Sequence, residues 1–245
     1  MTRVDETLSH ETRSGGSTPD NSLTPRGDRL AVELRGFGPV GLLAILVVLG
    51  ANLLPLLGPI LVLAWASRSH TPWREIGYVR PRSWALTALG GIVFGIALKL
   101  LMKSVIMPLL GAPPTNSAYQ FLVKDRAAML RMVLVVIVMA GWGEETFYRG
   151  YLYERLGKLL GHRRWAKAAI VLSTSILFGL LHLHDQGWAG AEQAALNGVI
   201  LGTIFASTGN LWFPIFTHAA FDVTAVLIIY AGLERSVANW FFRSP

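Results

Sequence analysis

The chain contains no cysteine. That single absence removes disulfides, thiolate-ligated zinc and a cysteine nucleophile together. Charge is scarce as well: Asp, Glu, Lys and Arg make up 15% of the 245 residues, against about 25% in an ordinary soluble domain. The N-terminal 35 residues also lack the apolar core of 7–15 residues that marks a secretory signal peptide. The first apolar segment is therefore expected to act as both insertion signal and anchor.

What is present in excess is apolar length. Hydrophobic residues are 52% of the chain and mean hydropathy is +0.46. They gather in segments near 37–66, 84–107, 129–153, 165–183, 190–208 and 211–233, most close to the roughly 20 residues that cross a bilayer. The fold class is all-α: a polytopic transmembrane bundle of about 6–8 helices, its ionisable residues gathered in a polar intramembrane cavity. Connections after residue 183 are short, which predicts that the last three helices are antiparallel neighbours.

The formal net charge is +7. Its carriers sit in short loops: Arg68, Arg74, Arg80 and Arg82, then Arg155, Lys158, Arg163, Arg164 and Lys167. Clusters beside spans answer to the positive-inside bias and to anionic headgroups, so the bilayer is the expected partner and nucleic acid is not. This pattern fits a prokaryotic cell membrane. Four divisions follow: a disordered polar tail over 1–35, an N-terminal membrane segment with its basic loop over 36–80, a core over 81–233 and a short C-terminal tail over 234–245. The first segment carries Pro55 and Pro59 in its second half. It reads as one kinked helix or as a helix followed by a re-entrant piece. Lys99 and Lys103 lie late in the second and are placed to snorkel to the interface.

Ionisable residues inside spans cost about 2.5–3.5 kcal/mol each at a helix centre. They occur in three places. In MVLVVIVMAGWGEETFYRGYLYERL, Glu145 and Arg149 are four apart and share a face, while Glu144 projects away without a local cation. One carboxylate is thus held and the other is available as a base. Gly141 and Gly143 clear space for a second helix or a substrate backbone. In the fourth segment, His182 lies four residues after Phe178 on one face, and His184 with Asp185 reads as interfacial. In the sixth, His218 and Asp222 are four apart. Taken singly, each group has a structural explanation, such as a Glu–Arg lock or a satisfied His–Asp pair. Three polar exceptions on three helices fit one shared cavity better, with the parts needed for water activation and oxyanion stabilisation.

These residues also carry a family pattern. The chain resembles the CPBP intramembrane proteases, which include the CaaX prenyl endopeptidases and the Abi proteins of bacteriocin processing and immunity. The motifs EExxxR, FxxxH and HxxxN stand here as Glu144-Glu145-Thr-Phe-Tyr-Arg149, Phe178-Gly-Leu-Leu-His182 and His218-Ala-Ala-Phe-Asp222, and the likeness runs over about 80–230. The resemblance implies an endopeptidase acting on a membrane-associated substrate, a prenylated CaaX tail or a leader peptide. It makes Glu144 the base that activates water and His182 its helper. Glu145 and Arg149 would organise the site, while His218 and residue 222 would stabilise the oxyanion. Asp222 departs from the family Asn, and an ionised Asp donates no hydrogen bond. Either it is protonated, or it orients His218, or Glu144, His182, His218 and Asp222 hold a catalytic zinc. The metal-free glutamate mechanism is preferred because neither histidine belongs to an HExxH motif.

Other classes fare worse. HExxH and an aspartate pair with GxGD are absent, and Ser173 and Ser175 lie in no rhomboid GxSx motif. The alternative from another class is a non-catalytic scaffold or immunity protein that uses the same cavity to bind a partner. A proton-coupled transporter ranks lower, because no inverted repeat is visible.

Overall fold

The computed structural model describes residues 26–54, 56–161 and 163–242. All regular structure among them is helical. Helices α1 (Arg26–Arg35), α2 (Pro39–Ala51) and α3 (Leu57–Arg68) precede α4 (Trp84–Leu109) and α5 (Arg126–Leu160). Then come α6 (Arg164–Thr208), α7 (Trp212–Tyr230) and a short α8 (Glu234–Ala238). Four of these, α4 to α7, are long and apolar enough to cross a membrane. Their outward surfaces carry Leu86, Leu134, Ile176 and Leu180 exposed, the sign of a lipid-facing wall rather than a wetted one.

Helix α6 is not one rod. Gly187 is non-helical (φ 66°, ψ −171°), a backbone state that glycine enters without steric cost, and there the chain turns back on itself. The Lys167 ammonium donates to the Ala206 carbonyl at 3.0 Å. A Cβ on Gly198 would meet that of Ser175 at 2.9 Å, and one on Gly179 would meet that of Ala195 at 2.9 Å. Pairs whose numbers rise on one side as they fall on the other define two antiparallel arms, 164–186 and 188–208, each about as long as a bilayer span. The expected antiparallel order of the last three segments is therefore present, with its turn made by one residue.

The first apolar segment breaks after Ala51 and returns. Indole Nε1 of Trp65 donates to the Leu34 carbonyl at 3.0 Å, so α3 ends beside the residues that precede α2, and α2–α3 is a re-entrant hairpin. Arg155 donates to the Arg35 carbonyl at 3.1 Å, and its guanidinium lies 4.5 Å from the Trp65 ring centre. Arg35 also reaches Glu75 at 3.1 Å. The start of the hairpin, the 68–82 loop and the end of α5 thus meet at one face of the bundle. Arg155 is buried in this junction rather than presented to headgroups.

Two readings of the termini change. Residues 26–35, taken as the end of a polar tail, form α1, in which Ala31 is buried and Leu34 packs on the hairpin core; residues 1–25 lie outside the described residues. The segment after 233 is no loose tail either. Val237 and Ala238 are buried, and the Glu234 carboxylate accepts from Lys103 at 3.3 Å, the Asn116 amide at 2.9 Å and Gln120 at 2.7 Å.

Close approach of α4, α5 and α7 positions the site. A Cβ on Gly91 would stand 2.8 Å from that of Phe216, and one on Gly141 would stand 2.7 Å from that of Ala219. Both are closer than real side chains approach, so α7 is held against two neighbours backbone to backbone. Such small-residue contact is how helices associate where lipid supplies no hydrophobic drive.

Candidate active site

The middle of α5 departs from α-helical geometry: Val136–Glu144 and Thr146–Leu152 are π-helical. Wider turns of this kind concentrate at functional sites because they re-aim side chains. They are anchored outside the cavity by Thr146, whose hydroxyl donates to the Trp142 carbonyl and pairs with Tyr78 Oη, each at 2.7 Å.

Glu145 is fully buried and its Oε1 is the hub of the site. It accepts from Arg149 Nη1 at 2.6 Å and from His218 Nδ1 at 2.7 Å. Arg149, 2% exposed, also donates to the Gly198 carbonyl at 3.4 Å and lies 5.2 Å from the centre of Phe178. One carboxylate thereby ties α5, the second arm of α6 and α7 together.

His218 presents its other nitrogen to two further carboxylates. Nε2 lies 3.8 Å from Glu144 Oε2 and 3.5 Å from Asp222 Oδ2. Glu144 and Asp222 keep 30% and 25% of their side-chain surface accessible, whereas Glu145 keeps none. These two half-buried carboxylates face a cavity of about 800 Å³, within the usual range for ligand pockets.

His182 reaches the same cavity from the first arm of α6. Its Nδ1 is bonded to the Phe178 carbonyl at 2.8 Å; that oxygen only accepts, so Nδ1 carries the proton and Nε2 is left as an acceptor. The FxxxH spacing has a further use. Phe178 packs against His182, Tyr148 and His218, with ring centres 4.5, 4.8 and 5.9 Å away, and so sets the position of both imidazoles. All six residues singled out in the sequence converge here. His184 stands at the outer rim of the same cavity, its side chain 95% exposed.

Sequence reasoning missed part of the wall. The tip of the α2–α3 hairpin, with Asn52, Leu56 and Pro59, lines the cavity; Pro59 Cγ stands 3.2 Å from where a Gly143 Cβ would be. Lys99 does not snorkel. It is 8% exposed, lines the cavity and donates to Gln193 at 3.1 Å. At the mouth, Tyr119 Oη accepts from Gln186 at 3.1 Å, and burial pushes its hydroxyl pKa up, so it stays protonated. A lysine late in the second apolar segment and a proline in a broken apolar run were the only traces of these features in the sequence.

A zinc site on Glu144, His182, His218 and Asp222 does not fit. His218 Nε2 faces its two carboxylates as a pairing group, and among the described residues no three His, Asp or Glu side chains converge as metal ligands. No step is therefore routed through a metal.

Residues 126–224 match the family model described as type II CAAX prenyl endopeptidase, Rce1-like. This chain carries an Rce1-like domain. The match begins with α5 and ends within α7, so it encloses all six converging residues. The match is consistent with the CPBP and CaaX proteases, and the all-helical bundle with four membrane-length helices agrees with it. No curated protein and no solved structure matches the chain. The Rce1-like assignment supports a protease in the bilayer acting on peptide.

Proposed function

We propose that the Rce1-like domain hydrolyses a peptide bond of a lipid-modified, membrane-held substrate, with Glu144 as the base. The observation that carries this is the unequal treatment of adjacent glutamates: Glu145 is fully buried and held through Oε1 by Arg149 and His218, while Glu144 faces the cavity opposite His218 Nε2. A water held between Glu144 and His182 Nε2 loses its proton to Glu144, and its oxygen attacks the carbonyl carbon. The oxyanion that forms is stabilised by a proton on His218 Nε2, fixed in direction from behind by Glu145. Asp222, 3.5 Å from the same nitrogen, orients that imidazole and offers it a counter-charge. Glu144 then returns its proton to the leaving nitrogen, the C–N bond breaks, and an acid and an amine are released.

The cavity's apolar walls suit a peptide that arrives with its lipid anchor. The test is cleavage of an S-farnesyl-cysteine peptide by the purified protein and by Glu144→Gln, whose shape is nearly the same. Activity should fall at least a thousandfold while thermal unfolding in detergent stays within a few degrees. Cleavage at wild-type rate by the Gln variant would refute the assignment of the base.

A further inference from the structure

Among the described residues, Lys99 is the one buried cation on the cavity wall that the proposed mechanism leaves unused. It is delivered there by the packing of α4 on α7. Gly91 and Gly95 bring the two backbones together, Gly91 beside Phe216 and Gly95 beside Thr217 and Ala220. One turn further along the same stripe comes Lys99, whose Nζ lies 4.7 Å from the centre of the Phe221 ring. Phe221 is three residues past His218, so the ammonium sits about one helical turn from the proposed oxyanion site, measured along α7.

Its surroundings leave the charge unbalanced. Gln193 contributes a neutral oxygen at 3.1 Å and Phe221 a ring face. Asp222, Glu234 and the like-charged Lys103 all bear on it, yet among the described residues no carboxylate lies within 4.0 Å of Nζ. Glu234 is occupied by Lys103, Asn116 and Gln120. Asp222 is turned to His218. A cation at membrane depth without an ion pair costs several kcal/mol, and here it borders a cavity that, with Glu144 as base, takes peptide.

We propose that Lys99 binds the C-terminal carboxylate of the substrate, fixing how far from the chain end the bond is cut. This rests on the endopeptidase reading and assigns its leaving-side subsite. Three extended residues span at most about 10 Å, which suits a carboxylate held one turn beyond the reacting carbonyl.

The experiment uses one S-farnesyl-cysteine peptide with three residues after the cysteine, made as the free acid and as the C-terminal amide. Both are offered to wild type, Lys99→Met and Lys99→Arg for cleavage. Fluorescent forms are titrated onto Glu144→Gln with Lys99 intact or replaced by Met. Wild type should prefer the free acid at least tenfold in kcat/KM, through KM. Lys99→Met should reduce that preference to within twofold while cleaving the amide as wild type does, and Lys99→Arg should keep most of it. The Glu144→Gln protein should bind the acid at least tenfold more tightly, and lose that margin with Lys99→Met. A preference that survives Lys99→Met, an absent preference in wild type, or equal loss of both peptides in Lys99→Met would overturn the proposal; the last would make Lys99 a support for Asp222. Lysine-dependent binding of the acid without any cleavage would instead overturn the endopeptidase reading and leave this subsite standing.

Discussion

At the residue scale, the adjacent glutamates differ only in what surrounds them. Glu145 is buried without accessible surface and bonded to two cationic or polarised groups, so removing Arg149 strands a charge in a low-dielectric interior. Arg149→Ala should therefore destabilise the protein by about 3–5 kcal/mol as well as abolish activity; unfolding in detergent, followed by circular dichroism, separates this from the silent fold of Glu144→Gln. Asp222 tests a finer point. If it serves to orient His218, Asp222→Asn keeps a hydrogen-bonding group beside Nε2 and should retain activity within about tenfold. Asp222→Ala should lose on the order of a hundredfold, the usual scale for a group that positions a stabiliser of transition-state charge. Steady-state cleavage by both variants decides it, and equal loss in the two would remove the orienting role. The six site residues were legible in the sequence because a titratable group inside an apolar run is conspicuous. The hub role of Glu145 was only half legible: its i,i+4 partner Arg149 is a local relation, whereas His218 lies 73 positions away.

Elements were legible to the extent that their cause is local. Apolar length located the spans, and short connections gave the antiparallel order of the two arms of α6 and α7. The turn between those arms was legible as the short connection between 183 and 190, but not its form, since only the positive φ of Gly187 reveals that one residue makes the reversal. The re-entrant hairpin was left open because length alone cannot distinguish a kinked crossing from a return; the Trp65–Leu34 bond decides for the return. Lys99 was misplaced for a related reason. Its depth follows from sequence, but the side of α4 it occupies follows from the glycine stripe packed on α7. That packing gives a prediction at this scale. Gly141→Ala would place a methyl 2.7 Å from Ala219 Cβ and 3.1 Å from its Cα, forcing α5 and α7 apart by a few tenths of an ångström. His218 and Glu145 sit on those two helices, so activity should fall at least tenfold while stability drops by about 1–3 kcal/mol. Adding Ala219→Gly should return part of the activity. A double variant no better than Gly141→Ala would show that the close approach does not govern the site.

For the whole molecule, the return of the α2–α3 hairpin settles how charge is divided between the two faces. Arg35, Arg68, Arg74, Arg80, Arg82, Arg155, Lys158, Arg163, Arg164 and Lys167 all fall at the face where α3 and α5 end and α4 begins, while the opposite face has Lys103, Lys124, Arg126, Arg131 and Arg235. Exposed aromatic residues flank both, with Trp73, Trp84 and Trp165 on the first and Trp188, Trp240 and Phe241 on the second, as rings do at headgroup level. The positive-inside bias then predicts a cytoplasmic first face. The cavity mouth lies on the second, formed by Asn116, Ser117, Tyr119, Asp185 and Glu234. Substrate would accordingly reach Glu144 from the side away from the basic belt or from the lipid beside the hairpin tip. The missing cysteines make this directly measurable, since any single cysteine introduced is the only thiol in the chain. In intact bacterial cells, Ser117→Cys should react with a membrane-impermeant maleimide, and Ser207→Cys, exposed at the basic face, should react only after permeabilisation. The reverse pattern would turn the mouth toward the cytoplasm and would mean that helix packing, rather than loop charge, dictates how this bundle inserts.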